Sequence, residues 1–335
     1  MQLHYNYVYF NNPDLSKHSY SYICAKDLET LEGVNLVSFP LEHKSNFVRT
    51  LFLAHRSKKL NKYFTIPLKS LWYPYYFEDK FSDDKPVCFV ISDRVFVTRD
   101  YIKYLKKKFA GSKFVIVHRD LMKFCRQCEN ADLYGDPIID IEMSYDKGEC
   151  QEYGMEHFDE IESIIDIPVD DQYPLSDVYF AGLVKDRLPK LMEAYHIFTE
   201  AGLKVKYYLT GVPQSERVPY EGIEYADHPM LYYDMLYQTV NSRCVLEINQ
   251  EGASGLTSRF IEAVMYNKRL ITNNADILNS KFYNPSFMQV VKNMNEVDPD
   301  MIKKTEEVEY HYDGSFSPVH LIEKIDNLLI SRYGR

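Results

Sequence analysis

The sequence predicts an α/β protein built on two doubly wound parallel sheets. Three observations predict it. The 335 residues suffice for two domains of ordinary size. From Asp177 onward, short β-branched or aromatic runs alternate with stretches of helical period, and strands spaced in this way pair in parallel through right-handed crossovers. The same strand, helix, strand succession stands once in the first half, between Val87 and His118. Hydrophobic residues at 45% and charged ones at 26% exclude a disordered, collagen-like or coiled-coil chain.

The elements follow in order. Val87-Cys-Phe-Val-Ile-Ser92 is a strand, the lysine-rich stretch from Tyr101 is a helix, and Lys113-Phe-Val-Ile-Val-His118 is the next strand. Ile138-Ile-Asp-Ile-Glu-Met-Ser144 adds another, closed by the turn Tyr145-Asp-Lys-Gly148. Ile164 to Pro174 mixes prolines with acidic residues and lacks helical period, so it is the linker between a first domain of residues 1–165 and a second of residues 174–317. In the second domain, Val178-Tyr-Phe-Ala-Gly182 is a strand ending in glycine. Leu188, Leu191, Met192, Tyr195 and Phe198 recur at three- and four-residue steps, which predicts an amphipathic helix stopping near Gly202. A strand at Val205–Gly211, a short segment at Gly222–Ala226, a helix over 230–240, the strand Arg243–Asn249, another helix after Gly255 and the strand Arg269–Thr272 follow. A last helix near Pro318–Ser331, within residues 318–335, can pack on either domain.

Charge divides the chain unevenly. Residues 1–130 carry 21 Lys and Arg against 13 Asp and Glu, whereas residues 131–335 carry 18 against 36. The positive charge gathers in Arg49–Phe64 and Tyr101–Phe114, both interleaved with apolar or aromatic side chains. Such stretches are solvated amphipathic helices or a face that meets anionic lipid head groups or a phosphate-bearing acceptor. No nucleic-acid-reading motif accompanies them, and the net charge of −10 argues against that partner. The N-terminus lacks a signal-peptide pattern and no window has the run of apolar residues of a spanning helix, which predicts a cytoplasmic protein. Six scattered cysteines suit reduced thiols. The lone Cys125-Arg-Gln-Cys128 has no second ligand pair at zinc spacing.

The stretch from Asn249 to Asn274 carries the sharpest functional signal. At 100° per residue, Leu256, Phe260, Ile261, Val264 and Met265 share the arc that packs on the sheet, and Ser258, Arg259, Glu262 and Tyr266 fall opposite. Arg259 and Glu262 at i, i+3 are an exposed surface pair, or the outer face is a binding wall. Ligands in an open parallel sheet sit beyond the carboxyl ends of strands, where this helix begins with its first amides unpaired. Gly252, Ala253, Ser254 and Gly255 lack bulk, so backbone approaches an anion closely, and the amides from Gly255 through Leu256 and Thr257 to Ser258 would hold a phosphate.

Residues 245–274 resemble the donor-binding motif of bacterial GT-B glycosyltransferases of capsule, O-antigen and lipopolysaccharide synthesis, in which a Gly-rich loop precedes a helix whose glutamate binds the nucleotide ribose. Phe180-Ala-Gly-Leu-Val-Lys-Asp-Arg187 is similar to that family's glycine turn and pyrophosphate-binding basic residues, and Asp140 to Gly154 to the segment closing its N-terminal domain. The resemblance implies two Rossmann-like domains facing a cleft, with Glu262 on the ribose and Lys185 or Arg187, after Gly182, on the pyrophosphate. It further implies a nucleotide-sugar donor, a lipid-linked saccharide acceptor, no metal and no other cofactor. Many retaining members carry a second glutamate eight residues earlier; Ser254 stands there, which leaves retention and inversion both open.

An inverting enzyme needs a base in the first domain to take the acceptor proton. Asp93, His118 and Asp120 lie at the ends of its predicted strands, His118 at a carboxyl edge facing the cleft. His118-Arg-Asp-Leu121 imitates a kinase catalytic loop, but Cys125 stands where that loop has asparagine. Asp298-Pro-Asp300 is a helix start rather than a metal-binding Asp-x-Asp, and Gly252-Ala-Ser-Gly255 is not a nucleophile elbow. Two other readings share the architecture: a sugar-nucleotide epimerase and a non-catalytic glycan- or partner-binding protein.

Overall fold

A computed structural model describes residues 2–11, 17–37, 45, 47, 50–51, 54, 68–77, 80–92, 95, 97–126, 131–250 and 255–334. Its strands are β1 (Asn6–Phe10), β2 (Val34–Val37), β3 (Val87–Ser92), β4 (Lys113–His118), β5 (Ile141–Ser144), β6 (Glu156–His157), β7 (Ser176–Leu183), β8 (Val205–Thr210), β9 (Ile223–Ala226), β10 (Ser242–Glu247), β11 (Arg269–Thr272) and β12 (Met288–Val290). Its α-helices among the described residues are α1 (Tyr20–Cys24), α2 (Arg99–Lys108), α3 (Met122–Cys125), α4 (Lys147–Tyr153), α5 (Leu188–Glu200), α6 (Tyr232–Val240), α7 (Ser258–Met265), α8 (Asp300–Lys303) and α9 (Pro318–Tyr333).

These elements form two Rossmann-like α/β units, each on a six-stranded parallel sheet. One sheet runs β2-β1-β3-β4-β5-β6 and the other β12-β11-β10-β7-β8-β9. In the first, the chain leaves β1 for β2 on one side and returns to β3 on the other. In the second it proceeds from β7 outward to β8 and β9, then returns to β10 on the opposite side. Each sheet therefore has one reversal of strand order, between β1 and β3 and between β7 and β10. A crevice opens at the strand carboxyl ends at such a point.

The first unit comprises residues 1–17, 24–163 and 317–335. Alternation along its strands sends Phe10, Phe89, Phe114 and Ile116 to one face, packed with Tyr101, Ile102 and Leu105 of α2. It sends Tyr7, Val90, Val115 and Met143 to the other, packed with Leu321, Ile322, Ile325 and Leu329 of α9. Burial of those four α9 side chains contributes about 1.5–3 kcal/mol each before entropy is counted. Asp326 of α9 is buried and accepts hydrogen bonds from the His4 amide (3.1 Å), the Tyr5 amide (3.3 Å) and the Tyr7 hydroxyl (2.7 Å), which ties the helix to β1. Thr98 caps α2 by accepting from the Tyr101 amide at 3.2 Å. Tyr145–Gly148, read from sequence as a closing turn, instead opens α4, because the Asp146 side chain caps it through the Glu149 amide at 2.8 Å.

The second unit comprises residues 18–23 and 164–316. Val178, Phe180, Tyr207, Leu209 and Leu246 pack with α5 on one face, and Val245 and Leu270 with Phe260, Ile261 and Val264 of α7 on the other. The stretch read as a linker is laid against this unit by side chains distant in sequence. The amide and carbonyl of Ile165 meet the Tyr266 hydroxyl at 3.3 and 3.2 Å. Asn241 donates to the Pro168 carbonyl (3.1 Å) and accepts from the Asp170 amide (2.6 Å), and Tyr237 donates to the Asp170 carboxylate. The Lys268 ammonium lies 5.0 Å from the Tyr173 ring centroid and donates to the Val240 carbonyl. A short piece of the N-terminal chain also belongs here: Tyr20 stands edge-on to Tyr232 at 4.8 Å, and His18 stacks on Tyr233 at 4.9 Å.

Candidate functional site

The reversal between β7 and β10 places the donor-binding candidates together. β7 ends at Gly182 and Leu183, and the short turn Lys185–Arg187 follows and starts α5. Arg187 curls back to the strand ends: Nη1 donates to the Ile248 carbonyl just past β10 at 2.9 Å, Nη2 to the Leu183 carbonyl, and Nε to the Val184 carbonyl at 3.3 Å. Gly182 lies beside it: a Cβ there would stand 3.8 Å from Arg187 Nη2, an ordinary contact. Lys185, exposed, donates to Gln250 Oε1 at 2.9 Å. Burial, and next the positive charge of Arg259, hold the Arg187 pKa below the ordinary arginine value, so the two guanidinium groups act on each other.

Helix α7 begins at this same edge, with Thr257 as its cap; the Thr257 hydroxyl accepts from the Arg259 amide at 3.2 Å. Gly255 precedes it at φ 82°, a left-handed conformation that favours glycine. The Gly255 amide, expected to face a phosphate, donates instead to the Asp276 carboxylate at 2.5 Å, and its carbonyl accepts from Asn274 at 2.9 Å. The anion-binding reading of the helix start therefore narrows to Leu256, Thr257 and Ser258. Glu251 to Ser254 lie outside the described residues.

Glu262 is neither an exposed surface group nor an open wall. Its side chain has no exposure. Arg259 Nη1 donates to its two oxygens at 2.8 and 3.0 Å, and the Tyr232 hydroxyl of α6 donates to Oε1 at 3.0 Å. The Tyr232 contact brings α6 over this side of α7, which one helix's periodicity does not reveal. Burial pushes the Glu262 carboxyl above the usual carboxylate range, opposed by the Arg259 charge and the Tyr232 hydrogen bond. Arg259 is held above its ordinary value by Glu262, against the effect of burial, and Nη2 donates to the Ala181 carbonyl of β7 at 2.6 Å.

A second buried carboxylate completes the group. Glu247, the last residue of β10, accepts from the hydroxyls of Thr257 and Thr272, and burial raises its pKa against those hydrogen bonds. Sequence reasoning passed over it; the signal was a lone acidic residue inside the apolar run Cys244–Ile248. Tyr232 had no such signal, because it meets Glu262 only through tertiary packing.

The first-domain candidates separate. His118 ends β4, but its ring is fully buried, with Nε2 3.2 Å from Glu142 Oε2 and the ring edge-on to Tyr134 at 4.6 Å. It does stand at the carboxyl end of β4, as read from the sequence, but with its side chain buried, on the face of the strand that also carries Phe114 and Ile116. Asp120 is half-buried in the turn after β4, its carbonyl accepting from the Cys125 thiol at 3.0 Å. Asp93 and Cys128 lie outside the described residues, as does most of the basic stretch 49–64. On α2, Lys106 lies 5.4 Å from the Phe114 ring, and Lys108 5.7 Å from Phe77 and 5.0 Å from Phe109. Lys106 and Lys108 thus lie near aromatic rings of their own unit, Lys108 while still exposed. Among the described residues, no group of three or more His, Cys, Asp or Glu is placed to hold a metal ion, and no helix is long and apolar enough to cross a membrane.

No protein-family model and no curated protein sequence matches the chain. Solved structures are similar to it at low identity, among them the following three. An alpha-glucosyltransferase in complex with UDP and a 13-mer DNA is 10% identical, with 96% of this chain and 90% of that chain covered and a TM-score of 0.45. The N-terminal domain of Candida albicans trehalose-6-phosphate phosphatase is 10% identical, with 97% and 92% covered and a TM-score of 0.47. TarM is 10% identical with a TM-score of 0.40 over 74% of this chain, which spans about half of TarM (52%). At such values the architecture rests on the chain's own strand order and register.

Proposed function

We propose that the protein is a glycosyltransferase, moving a sugar from a nucleotide diphosphate sugar to a hydroxyl of a lipid-linked saccharide in surface polysaccharide synthesis. The observation that carries the reading is the convergence of Arg187, Arg259 and the start of α7 at the strand-order reversal of the second sheet. Arg187, anchored to three strand-end carbonyls, and Arg259, bonded to one, form with the amide-bearing start of a helix a positive site for a diphosphate leaving group. Donors of this kind stabilise departing charge without a metal. Lys185 adds an exposed cation at the rim, and Glu262 supplies the carboxylate for the ribose hydroxyls.

In this reading the first unit binds the acceptor, and an aspartate at its strand ends, Asp120 or Asp93, takes the acceptor proton. His118 drops behind them, since a fully buried ring does not reach an acceptor hydroxyl. The exposed lysines of α2 and the basic stretch 49–64 serve contact with anionic head groups or acceptor phosphates at the inner membrane face. A thermal-shift panel of UDP-, GDP-, dTDP- and CMP-sugars tests the reading, and one class is expected to raise the melting temperature. If none does, the donor site is refuted. Donor conversion without any acceptor would replace the transferase by an epimerase.

A further inference from the structure

The contacts of Glu262 raise a difficulty that the donor site must resolve. A ribose diol needs free carboxylate lone pairs, yet both oxygens accept from Arg259, and Oε1 also from Tyr232. Of the ion pair, solvent touches one member only: the Arg259 side chain is 18% exposed and that of Glu262 0%. Tyr232 is itself 5% exposed and held edge-on by Tyr20, so it is a poor candidate to move. Arg259 is the better one, because its remaining terminal contact is a single carbonyl, that of Ala181.

We propose that Arg259 is the residue that makes the site select nucleoside diphosphates over nucleosides, by exchanging partners. A diphosphate reaches the solvent-touched guanidinium directly, next to Arg187, whose positive charge already acts on it. With the diphosphate competing against the single Glu262 carboxylate, the contacts redistribute: Arg259 turns to the phosphate, and Glu262 is released to the ribose diol. The tyrosine stays on Oε1 and keeps the freed carboxylate in place. A nucleoside alone cannot induce the exchange, because its hydroxyls are neutral and do not compete with a carboxylate for a guanidinium. Phosphate and ribose recognition are thus coupled through one side chain, and linkage requires the coupling to be reciprocal.

This inference rests on the nucleotide-diphosphate reading above, and the experiment separates the two. The full chain is titrated calorimetrically with UDP, GDP and dTDP, then with the nucleoside of whichever binds, with and without saturating inorganic phosphate. Exchange predicts that phosphate tightens nucleoside binding about tenfold or more, and that the nucleoside tightens phosphate by the same factor. Arg259→Gln is expected to abolish the dependence, with nucleoside affinity the same in the two buffers. Should that variant not fold, the wild-type titration decides alone. Nucleoside diphosphate binding with a nucleoside affinity indifferent to phosphate overturns the exchange and leaves the donor site standing. Failure of every nucleoside diphosphate to bind overturns both.

Discussion

Replacing Glu262 by alanine removes a carboxylate with no exposure to solvent and leaves the Arg259 guanidinium with the Ala181 carbonyl but no counter-charge. The Tyr232 hydroxyl loses its acceptor in the same step. Breaking one side of a buried ion pair costs about 3–5 kcal/mol, most of it the desolvated charge left behind. Glu262→Gln keeps an acceptor for both donors and loses only the charge assistance, so about 1.5–3 kcal/mol is expected. The combined change Arg259→Met with Glu262→Leu removes both charges, and should lie within about 1 kcal/mol of the parent or above it. Urea denaturation followed by circular dichroism reads the three, as midpoint shifts multiplied by a common slope. The order alanine, then glutamine, then the double change is the result to look for. An alanine variant within about 1 kcal/mol of the parent would refute the reasoning, since Arg259 would then be reaching water unaided.

Three other side chains give further outcomes. Burial holds the Lys268 ammonium down from 10.5 to about 8; the unfolded chain therefore binds more protons between those values, and stability should rise with pH across that window by about 3 kcal/mol. Lys268→Met should flatten this rise in melts between pH 7 and 10.5, and an unchanged slope would show the lysine is not responsible. Asp326→Ala strips the acceptor from the buried Tyr7 hydroxyl and the amides of His4 and Tyr5, and should lower stability by about 3 kcal/mol in the same denaturation assay. Lys185→Ala, changing an exposed side chain bonded to Gln250, should leave stability within about 0.5 kcal/mol while weakening nucleotide affinity, read by melting and by titration.

The second half of the chain announces most of its fold because β7, β8, β10 and β11 are short apolar runs among helices of clear period; β9 and β12, with four and three residues and no α-helix before either in its crossover, are not announced in this way. The first half conceals part of its sheet. Asn6–Phe10 is buried at all five positions and so carries no alternation, and Val34–Val37 spans only four residues. Ile138–Ser144 reads as one run, but pairing with β4 begins at Ile141. His118 shows how two local signals conflict: its place at a strand end suggests exposure, while the period of two that also directs Phe114 and Ile116 inward decides the outcome. The position of the candidate site, with Arg187, Arg259 and Glu262 near the ends of β7 and β10, was legible from motif order. Its closure was not, since Tyr232 lies 30 residues before Glu262 and comes from another helix. The same limit applies to residues 164–175, whose order comes from Asn241, Tyr237, Tyr266 and Lys268.

The central claim is that the reversal point between β7 and β10 holds a diphosphate through Arg187, whose guanidinium is fixed by the carbonyls of Ile248, Leu183 and Val184. Side-by-side titration of UDP, GDP and dTDP into the parent protein and Arg187→Ala tests it most directly. The account predicts saturable binding of one nucleotide by the parent and at least about tenfold weaker binding by the variant, as expected for loss of a charge-assisted contact worth about 1.5–3 kcal/mol. Equal affinities in the two proteins, with the variant folded, would contradict it.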